Sequence, residues 1–246
     1  MRRRDLLLAF VALVLLWQAV SMIVNEPILP GPIIVGQTFF LELGSGLTSH
    51  FLVSAGRVLA GVLLAVLLAA PAGIILGQSP RLNQIFSPVI YMLYPIPKVV
   101  LVPVILLLFG IGDIPKIVII FLILFFSILV LVRDSAASID PKMLLSVRSL
   151  GAGRRALFRY VYFPASLSAI LTALRQSVGT AVAVLYIAEL FATQKGLGYY
   201  IYLNGNTLFN YPAMYAGVVA MSLLGLGMYF TVDRLEKRLC PWKYVG

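Results

Sequence analysis

The chain has 246 residues, of which 61% are hydrophobic and only 11% are charged. Soluble domains carry about 25% charged residues, so this composition excludes a soluble fold and indicates a chain that spans a lipid bilayer. Its 19 basic residues against 9 acidic ones are typical of cytoplasmic membrane loops, and we expect no nucleic-acid partner. One cysteine and one histidine exclude an intrachain disulfide and a Cys/His metal cluster.

The hydropathy pattern predicts six membrane spans, because about 20 apolar residues are needed to cross a bilayer as a helix. The first apolar run is too long for a signal peptide, so we predict that it is retained as a helix. The third span contains several prolines, and we expect it to be broken and to lie against protein or a wet cavity. The predicted spans cover residues 6–24, 56–77, 84–112, 114–132, 165–190 and 212–232.

The basic residues predict the orientation of these spans. If the N-terminus is cytoplasmic, most of the lysines and arginines fall in cytoplasmic segments, and the largest group lies in a loop of about residues 133–164. The positive-inside rule therefore places both termini in the cytoplasm, and the family resemblance described below implies a bacterial-type cytoplasmic (inner) membrane. Residues 25–55 and 191–211 are predicted to lie outside.

The sequence lacks the motifs that would let the chain hydrolyse ATP or catalyse a reaction. It contains no G-x-x-x-x-G-K-[ST] phosphate loop, no H-E-x-x-H and no G-x-S-x-G, and its one histidine, His50, falls in a predicted outer loop. We therefore expect a protein that is not an enzyme and has no catalytic, cofactor-binding or metal-binding residues. If it transports actively, its energy comes from a partner at the cytoplasmic loop.

Residues 138–150, "SIDPKMLLSVRSL", are predicted to form a short amphipathic helix in that loop. Asp140 is its expected N-cap and Pro141 its first helical residue. Gly151 and Gly153 are expected to end it. A second basic piece, "RRALFRYVYF", follows, and Pro164 is predicted to begin the next span. The helix either lies on anionic lipid headgroups or docks onto a soluble partner.

The spacing in this loop resembles the EAA loop of permease subunits from ATP-binding-cassette importers. That pattern is Glu-Ala-Ala, three residues, Gly, nine residues, Ile, one residue and Leu-Pro. With its glycine placed on Gly151, Val161 takes the isoleucine position and Phe163-Pro164 the Leu-Pro position. The Glu-Ala-Ala triplet itself is absent, because its positions hold Leu145, Ser146 and Val147.

Further segments resemble the nitrate, sulfonate, taurine and bicarbonate branch of these permeases. They are the Pro-rich "YPIPKVVLVPVILLLFGIG", the element "AELFATQKGLGYYI" and the basic end "LEKRLCPW". The resemblance implies an all-α fold, namely a six-span permease of a type I importer that forms one domain over residues 1–246.

The resemblance also implies the function and the partners. The chain would be the translocation subunit of an ATP-driven importer for a small anionic solute, coupled through residues 138–164 to a separate ATPase. Its partners would be a second copy of itself, two cytoplasmic ATPase subunits that bind ATP and Mg, and an external substrate-binding protein. The alternatives are a secondary transporter or channel that works alone, and a membrane scaffold. The implied ATPase-coupling residues are Leu145, Ser146, Val147, Arg148, Leu150, Gly151, Ala152, Arg154 and Pro164.

Four residues are candidates for the substrate pathway, and each has a second interpretation. Lys98 either attracts an anionic substrate or reaches the cytoplasmic headgroups. Tyr91 and Tyr94 either line the pathway or pack. Glu189 either forms an outer gate or a binding-protein contact, or accepts hydrogen bonds from backbone amides of the outer loop.

Other polar and small residues within the spans have predicted structural roles. Arg175 is expected to form an ion pair, and Arg57 is expected to extend toward the headgroups. Three glycines are expected to allow close packing of helices, namely Gly61, Gly73 and Gly179.

Overall fold

A computed structural model describes residues 3–191 and 193–243, and in this part of the chain the regular secondary structure is helical. By length and composition, five helices can each cross a membrane, and a bent pair can form a sixth span. The pair joins Pro80–Leu93 to Lys98–Phe109 with a bend of 77°. The predicted all-α fold and the predicted break in the third span are therefore confirmed.

The α-helices follow in chain order, and short π or 3₁₀ turns extend several of them. The π turns are Phe158–Tyr162 and Leu203–Thr207, and the 3₁₀ turns are Lys98–Leu101 and Pro241–Lys243. The α-helices are α1 (Arg3–Val24), α2 (Pro32–Ser45), α3 (Leu47–Gln78), α4 (Pro80–Leu93), α5 (Val102–Phe109), α6 (Asp113–Ala137), α7 (Pro141–Ser149), α8 (Arg154–Leu157), α9 (Phe163–Glu189), α10 (Leu197–Tyr202) and α11 (Tyr211–Leu239).

Several helices are longer than the apolar runs that predicted them, and α3 and α11 are extended the most. α3 begins at Leu47 rather than near residue 56, and α11 continues to Leu239 rather than ending near residue 232. The added turns contain buried polar residues, among them Ser54 in α3 and Glu236 in α11. Because these side chains have polar partners, their burial is tolerated and the helices continue beyond the apolar run.

The described residues form two compact units, and the predicted single functional domain over 1–246 stays a prediction. The first unit contains residues 3–54 and Glu189–Leu224. In it, the Trp17 ring on α1 stacks on Tyr215 of α11 with ring centroids 6.0 Å apart. The Trp17 indole N–H donates to the Pro30 carbonyl at 3.2 Å.

The second unit contains Ala55–Ala188 and residues 225–243. Its helices α3 and α6 pack closely, because glycines of α3 face side chains of α6. A Cβ added at Gly61 would lie 2.7 Å from Cγ2 of Ile120, and one added at Gly73 would lie 2.9 Å from Cβ of Val132. The predicted close approach at Gly61 and Gly73 is confirmed.

The third predicted glycine does not serve this purpose. Among the described residues, nothing lies within 4 Å of a Cβ added at Gly179, so that prediction is wrong. Gly77, which was not among the predicted glycines, does face α6, because an added Cβ there would lie 2.6 Å from Cβ of Ala136. Which face a glycine presents to a neighbour depends on the packing of the helices, and composition does not reveal it.

Two arginines of the second unit form ion pairs. Arg57 is only 4% exposed, and its Nη2 lies 2.6 Å from Oδ1 of Asp113. The expectation that Arg57 extends toward the headgroups is therefore wrong, because its buried guanidinium is paired with Asp113, whose own side chain is 65% exposed. Arg175 forms the ion pair that was predicted, at 2.9 Å from Glu236 and 3.4 Å from Asp233.

Candidate coupling and translocation site

The predicted loop helix is present as α7, with the predicted start. The Asp140 carboxylate accepts a hydrogen bond from the Lys142 amide at 2.8 Å, and Pro141 is the first helical residue. Gly151 follows the helix with φ +82°, and its amide donates to the Arg148 carbonyl at 2.9 Å. A glycine in the left-handed region commonly ends a helix, because it lacks the Cβ that opposes this conformation.

α7 exposes apolar side chains on two opposite sides. Met143 is 51% exposed, Leu145 is 62% exposed, and Leu150 just after the helix is 86% exposed. At 3.6 residues per turn, Leu145 points about 160° away from Met143. Lys142 and Arg148 are also exposed. A flat headgroup surface covers one side of a helix, whereas a groove covers two sides, so this arrangement favours docking onto a protein.

The remaining predicted coupling residues lie in or next to α7. The Ser146 hydroxyl donates to the Lys142 carbonyl at 2.9 Å, and Val147 and Ala152 are half-buried. The side chain of Arg154 lies outside the described residues. The assignment of this set to ATPase coupling stays a prediction.

The helix after Gly151 continues directly into the fifth span. Arg155–Glu189 is one helical stretch of 35 residues, so "RRALFRYVYF" is not a separate surface piece. Pro164 was predicted to begin the span, and this prediction is wrong. Pro164 is the second residue of α9 and lies within the longer helical stretch. The π turn Phe158–Tyr162 precedes it, and the Phe163 amide donates to the Phe158 carbonyl. A π turn accommodates a proline because it locally interrupts the regular hydrogen-bond ladder of the helix.

The break in the third span is capped by Lys98. Its Nζ donates to the Leu93 carbonyl at 2.9 Å and to the Tyr94 carbonyl, and it lies 4.8 Å from the centroid of the Phe126 ring. Both carbonyls lie at the end of α4, where the Leu93 carbonyl also accepts from the Ile96 amide at 3.3 Å, and a cation at a helix C-terminus is favourable. This capping role was neither of the two roles considered for Lys98 in the sequence.

The two tyrosines beside the break have exposed side chains in the single chain. Tyr91 faces the Arg133 guanidinium, whose central carbon lies 5.4 Å from the ring centroid, and Tyr94 lies at the C-terminus of α4. The assignment of Tyr91, Tyr94 and Lys98 to the substrate pathway stays a prediction.

Glu189 is fully buried at the end of α9, in a cluster within the first unit. Its Oε2 accepts from the Gly198 amide at 2.8 Å, and the Ser54 hydroxyl lies 2.8 and 2.9 Å from its two oxygens. Ser54 also accepts from the Leu197 amide at 2.8 Å. These contacts are those of the amide-binding interpretation, whereas a role of Glu189 in the pathway stays a prediction.

Ser54 was not predicted to belong to this cluster. It lies 135 positions from Glu189 in the sequence, in the segment 25–55 that was predicted to lie outside the membrane. His50, one turn earlier in α3, accepts from the Gly196 amide at 3.1 Å. Together the two side chains attach the start of α10 to the start of α3.

Comparison with known proteins identifies the family. Residues 61–240 match the family described as "Binding-protein-dependent transport system inner membrane component". The taurine transport system permease protein TauC of Escherichia coli (strain K12) is 30% identical over 85% of this chain and 75% of that protein. The riboflavin transport system permease protein RibX of Chloroflexus aurantiacus is 30% identical over 94% of this chain and 87% of that protein.

Solved structures support the fold. A chain of the MetNI methionine ABC transporter in an inward-facing conformation matches with a TM-score of 0.67 at 18% identity. The match covers 80% of this chain and 98% of that chain. The family match covers more than half of this chain and includes α7, the broken span and the C-terminal helix. A transporter or channel that works alone, and a membrane scaffold, are therefore set aside. The chain belongs to the binding-protein-dependent inner membrane components, and it is the non-catalytic, multi-pass permease subunit of an ATP-driven importer that works with ATPase and substrate-binding partners.

Proposed function

We propose that α7 and the turn at Gly151 form the surface on which the ATPase docks, with one ATPase subunit for each copy of the permease. The exposed apolar side chains on both sides of α7 support this assignment, because a groove in a soluble partner can bury both sides at once. ATP and Mg bind to the ATPase subunits, and this chain supplies no residue to them.

The route of coupling runs from this surface into the membrane along a single helix. α8, the π turn Phe158–Tyr162 and α9 are continuous, and they begin three residues after Gly151. A movement of the docked segment is therefore carried through the short turn at Gly151 into one continuous helix that leads into the fifth span. The π turn is the point of this helix at which the regular ladder is interrupted, and we propose that the helix bends there.

A pair of charge substitutions tests the docking surface. Leu150→Asp places a charge on the most exposed apolar side chain of this surface, whereas Ser149→Asp places the same charge on its exposed polar neighbour. Each permease is co-expressed with its ATPase and purified through a tag on the permease. We expect the amount of bound ATPase to fall about tenfold for Leu150→Asp, the order expected when a well-buried interface anchor is lost. Equal binding of the ATPase by both variants would contradict the proposal that it docks on α7.

We propose that the permease is a homodimer whose two copies meet at the broken span. The backbone from Tyr94 to Pro97 is not helical, and its residues are exposed on the single chain. Irregular backbone cannot face lipid, because its polar groups have no water to bind. A second copy that covers the break satisfies this requirement and leaves room for a wet pathway beside Tyr91, Tyr94 and Lys98.

Native mass spectrometry and cross-linking test this pairing. Met92 is exposed in α4 close to the break, so Met92→Cys is expected to form a cross-linked dimer with a short thiol cross-linker. The same substitution at Leu8, exposed on α1, is the control and is expected to cross-link much less. A purified assembly that contains one copy of this chain would contradict the homodimer.

We propose that the transported solute is a small anion and that both termini are cytoplasmic. The likeness to the taurine permease supports the first statement through the anionic sulfonate group of taurine, which also carries an ammonium group. The riboflavin permease represents the competing class of uncharged solutes. The binding protein that stimulates this importer can be mixed with taurine, other sulfonates and riboflavin in a thermal-shift assay. Stabilisation by riboflavin alone would contradict the anionic assignment.

A further inference from the structure

The C-terminal part of the second unit contains a buried acidic side chain with several partners. The Glu236 carboxylate on α11 is fully buried. Its Oε1 accepts from Lys243 Nζ at 2.6 Å and from the Thr172 hydroxyl at 3.1 Å, and Arg175 Nη1 lies 2.9 Å from its Oε2. Thr172 and Arg175 belong to α9, so one carboxylate joins α9, α11 and the C-terminal turn.

The chain after α11 folds back to complete this cluster. The Cys240 amide donates to the Glu236 carbonyl at 2.9 Å, and the Lys243 amide donates to the Cys240 carbonyl at 3.1 Å. The 3₁₀ turn Pro241–Lys243 then returns the Lys243 ammonium to Glu236 and to the Thr172 hydroxyl, which accepts from it at 2.9 Å. Cys240 is fully buried by this fold.

Burial makes the cluster strongly dependent on its partners. A buried carboxylate that loses one partner retains an uncompensated charge, which costs far more than the loss of an exposed pair. The neighbouring pair of Lys237 and Asp233 provides the contrast, because its side chains are 56% and 19% exposed and solvent-exposed pairs contribute less than buried ones. Opening the C-terminal turn is therefore costly.

Two residues of the cluster lie on the helix that leads from the turn at Gly151 into the fifth span. Thr172 and Arg175 lie on the same continuous helix that begins after Gly151 and contains the π turn. A helix that is moved at one end and held at another point pivots about the held point, so the position of that point decides how the rest of the helix moves. The cluster holds α9 to α11 beyond the π turn, on the side away from α7.

We propose that Glu236 is a positioning residue for ATP-driven transport. With Arg175 and Lys243 it clamps the C-terminal segment and α9 to α11, and this clamp holds the fifth span while the α7 segment moves with the ATPase. The inference rests on the proposed coupling through α7.

The single cysteine of the chain reports directly on the clamp. The purified permease is treated with fluorescein maleimide, and the labelling rate of Cys240 is measured for the native chain, Lys243→Met and Glu236→Gln. Losing a hydrogen bond to a charged group shifts a local opening equilibrium by about tenfold or more, and we expect a rise of this size in the labelling rate. Lys243→Arg, which keeps the charge, and Arg238→Met, on an exposed side chain of α11, are expected to label like the native chain.

Electrostatics alone predicts the opposite result for the lysine variant. Burial and the Glu236 carboxylate raise the pKa of the Cys240 thiol, whereas the Lys243 ammonium lowers it. Lys243→Met therefore raises this pKa further and reduces the reactive thiolate. A faster reaction in this variant reports exposure of the thiol and not a change in its chemistry.

A second measurement separates positioning from simple stability. In proteoliposomes that contain permease and ATPase, we measure ATP hydrolysis with and without the liganded binding protein. A merely structural defect lowers both rates together through loss of complex. A positioning defect lowers the ratio of stimulated to basal ATP hydrolysis. We expect this ratio to fall at least about threefold for Glu236→Gln. We also expect a higher ratio for Lys243→Arg than for Lys243→Met.

The outcomes separate this inference from the coupling proposal. Unchanged labelling in both clamp variants overturns the clamp. Faster labelling with a native stimulation ratio overturns the positioning role. Gly151→Val in the same assay tests the α7 surface independently. A native ratio of stimulated to basal hydrolysis in Gly151→Val contradicts coupling through that surface. The ratio measured for Glu236→Gln tests the clamp in either case.

Discussion

Gly151 combines a left-handed backbone with an open environment. Its φ is +82°, and among the described residues no atom lies within 4 Å of an added Cβ. A side chain at this position is therefore opposed by the backbone conformation and not by crowding. Such a conformation costs a non-glycine residue about 1–2 kcal/mol, and more for a β-branched one.

We predict that Gly151→Val impairs coupling without unfolding the spans. The strained turn changes the direction in which α7 leaves α8, so ATPase binding or its stimulation by the binding protein is expected to fall about tenfold, in line with the cost of the strain. The measurement is ATP hydrolysis by the reconstituted complex, with the melting temperature of the permease in detergent recorded beside it.

Gly153 is the matched control for this substitution. It is also open, but its φ is not in the left-handed region, so Gly153→Val is expected to retain much more coupled activity. Equal activity of the two variants would show that the conformation of Gly151 is not required.

Glu189 offers a second test at a single residue. Its carboxylate accepts from the Gly198 amide and from Ser54 in a fully buried setting. Hydrogen bonds to a buried charged group contribute about 1.5–3 kcal/mol each. We therefore predict that Glu189→Ala increases amide hydrogen exchange at residues 196–198 by at least about tenfold.

Glu26 provides the control, because it is an exposed acid of the same unit. Glu26→Ala is expected to leave exchange at residues 196–198 unchanged. Native protection of this segment in Glu189→Ala would show that the hydrogen bonds of the cluster do not hold the outer loop.

At the scale of elements, α3 and α6 form a closely packed pair along much of their length. Glycines at positions 61, 73 and 77 of α3 each face α6. We predict that Gly77→Ala destabilises the permease, because the added Cβ would lie 2.6 Å from both Ala136 Cβ and the Arg133 carbonyl oxygen. Overpacking of this kind costs about 1–3 kcal/mol.

The measurement is thermal unfolding in detergent, followed by size-exclusion chromatography. Gly179→Ala is the matched control, because its Cβ meets open space among the described residues, and alanine favours a helix over glycine. We expect Gly179→Ala to match or exceed the stability of the native chain. A larger loss at Gly179 than at Gly77 would contradict the packing of α3 against α6.

At the scale of the whole molecule, the distribution of basic residues predicts the membrane orientation. Cysteines introduced at two exposed positions of the predicted outer segments, Ser45 and Asn206, are expected to react with an impermeant thiol reagent in intact cells. One introduced at Ser149 in α7 is expected to react only after the membrane is opened. Native Cys240 is fully buried, so the unsubstituted chain serves as the blank. Labelling of Ser149→Cys in sealed cells would reverse the orientation.

The sequence by itself determined the membrane class, the spans, the broken third span and the start and end of α7. Each of these depends on residues that are neighbours in the chain. Apolar runs set the spans, prolines interrupt a helix, and Asp140 with Pro141 begins one. The left-handed turn at Gly151 belongs to the same group, because the requirement for glycine arises within one residue.

Only the tertiary structure decided how the polar residues within the spans are paired and which glycines face a neighbouring helix. Ser54 reaches Glu189 across 135 positions, and Thr172 reaches Glu236 across 64. Arg57 was expected near headgroups, but it is buried against Asp113. A buried charge needs a partner, and the sequence shows that need without showing which helix supplies the partner, because helix packing brings the two groups together.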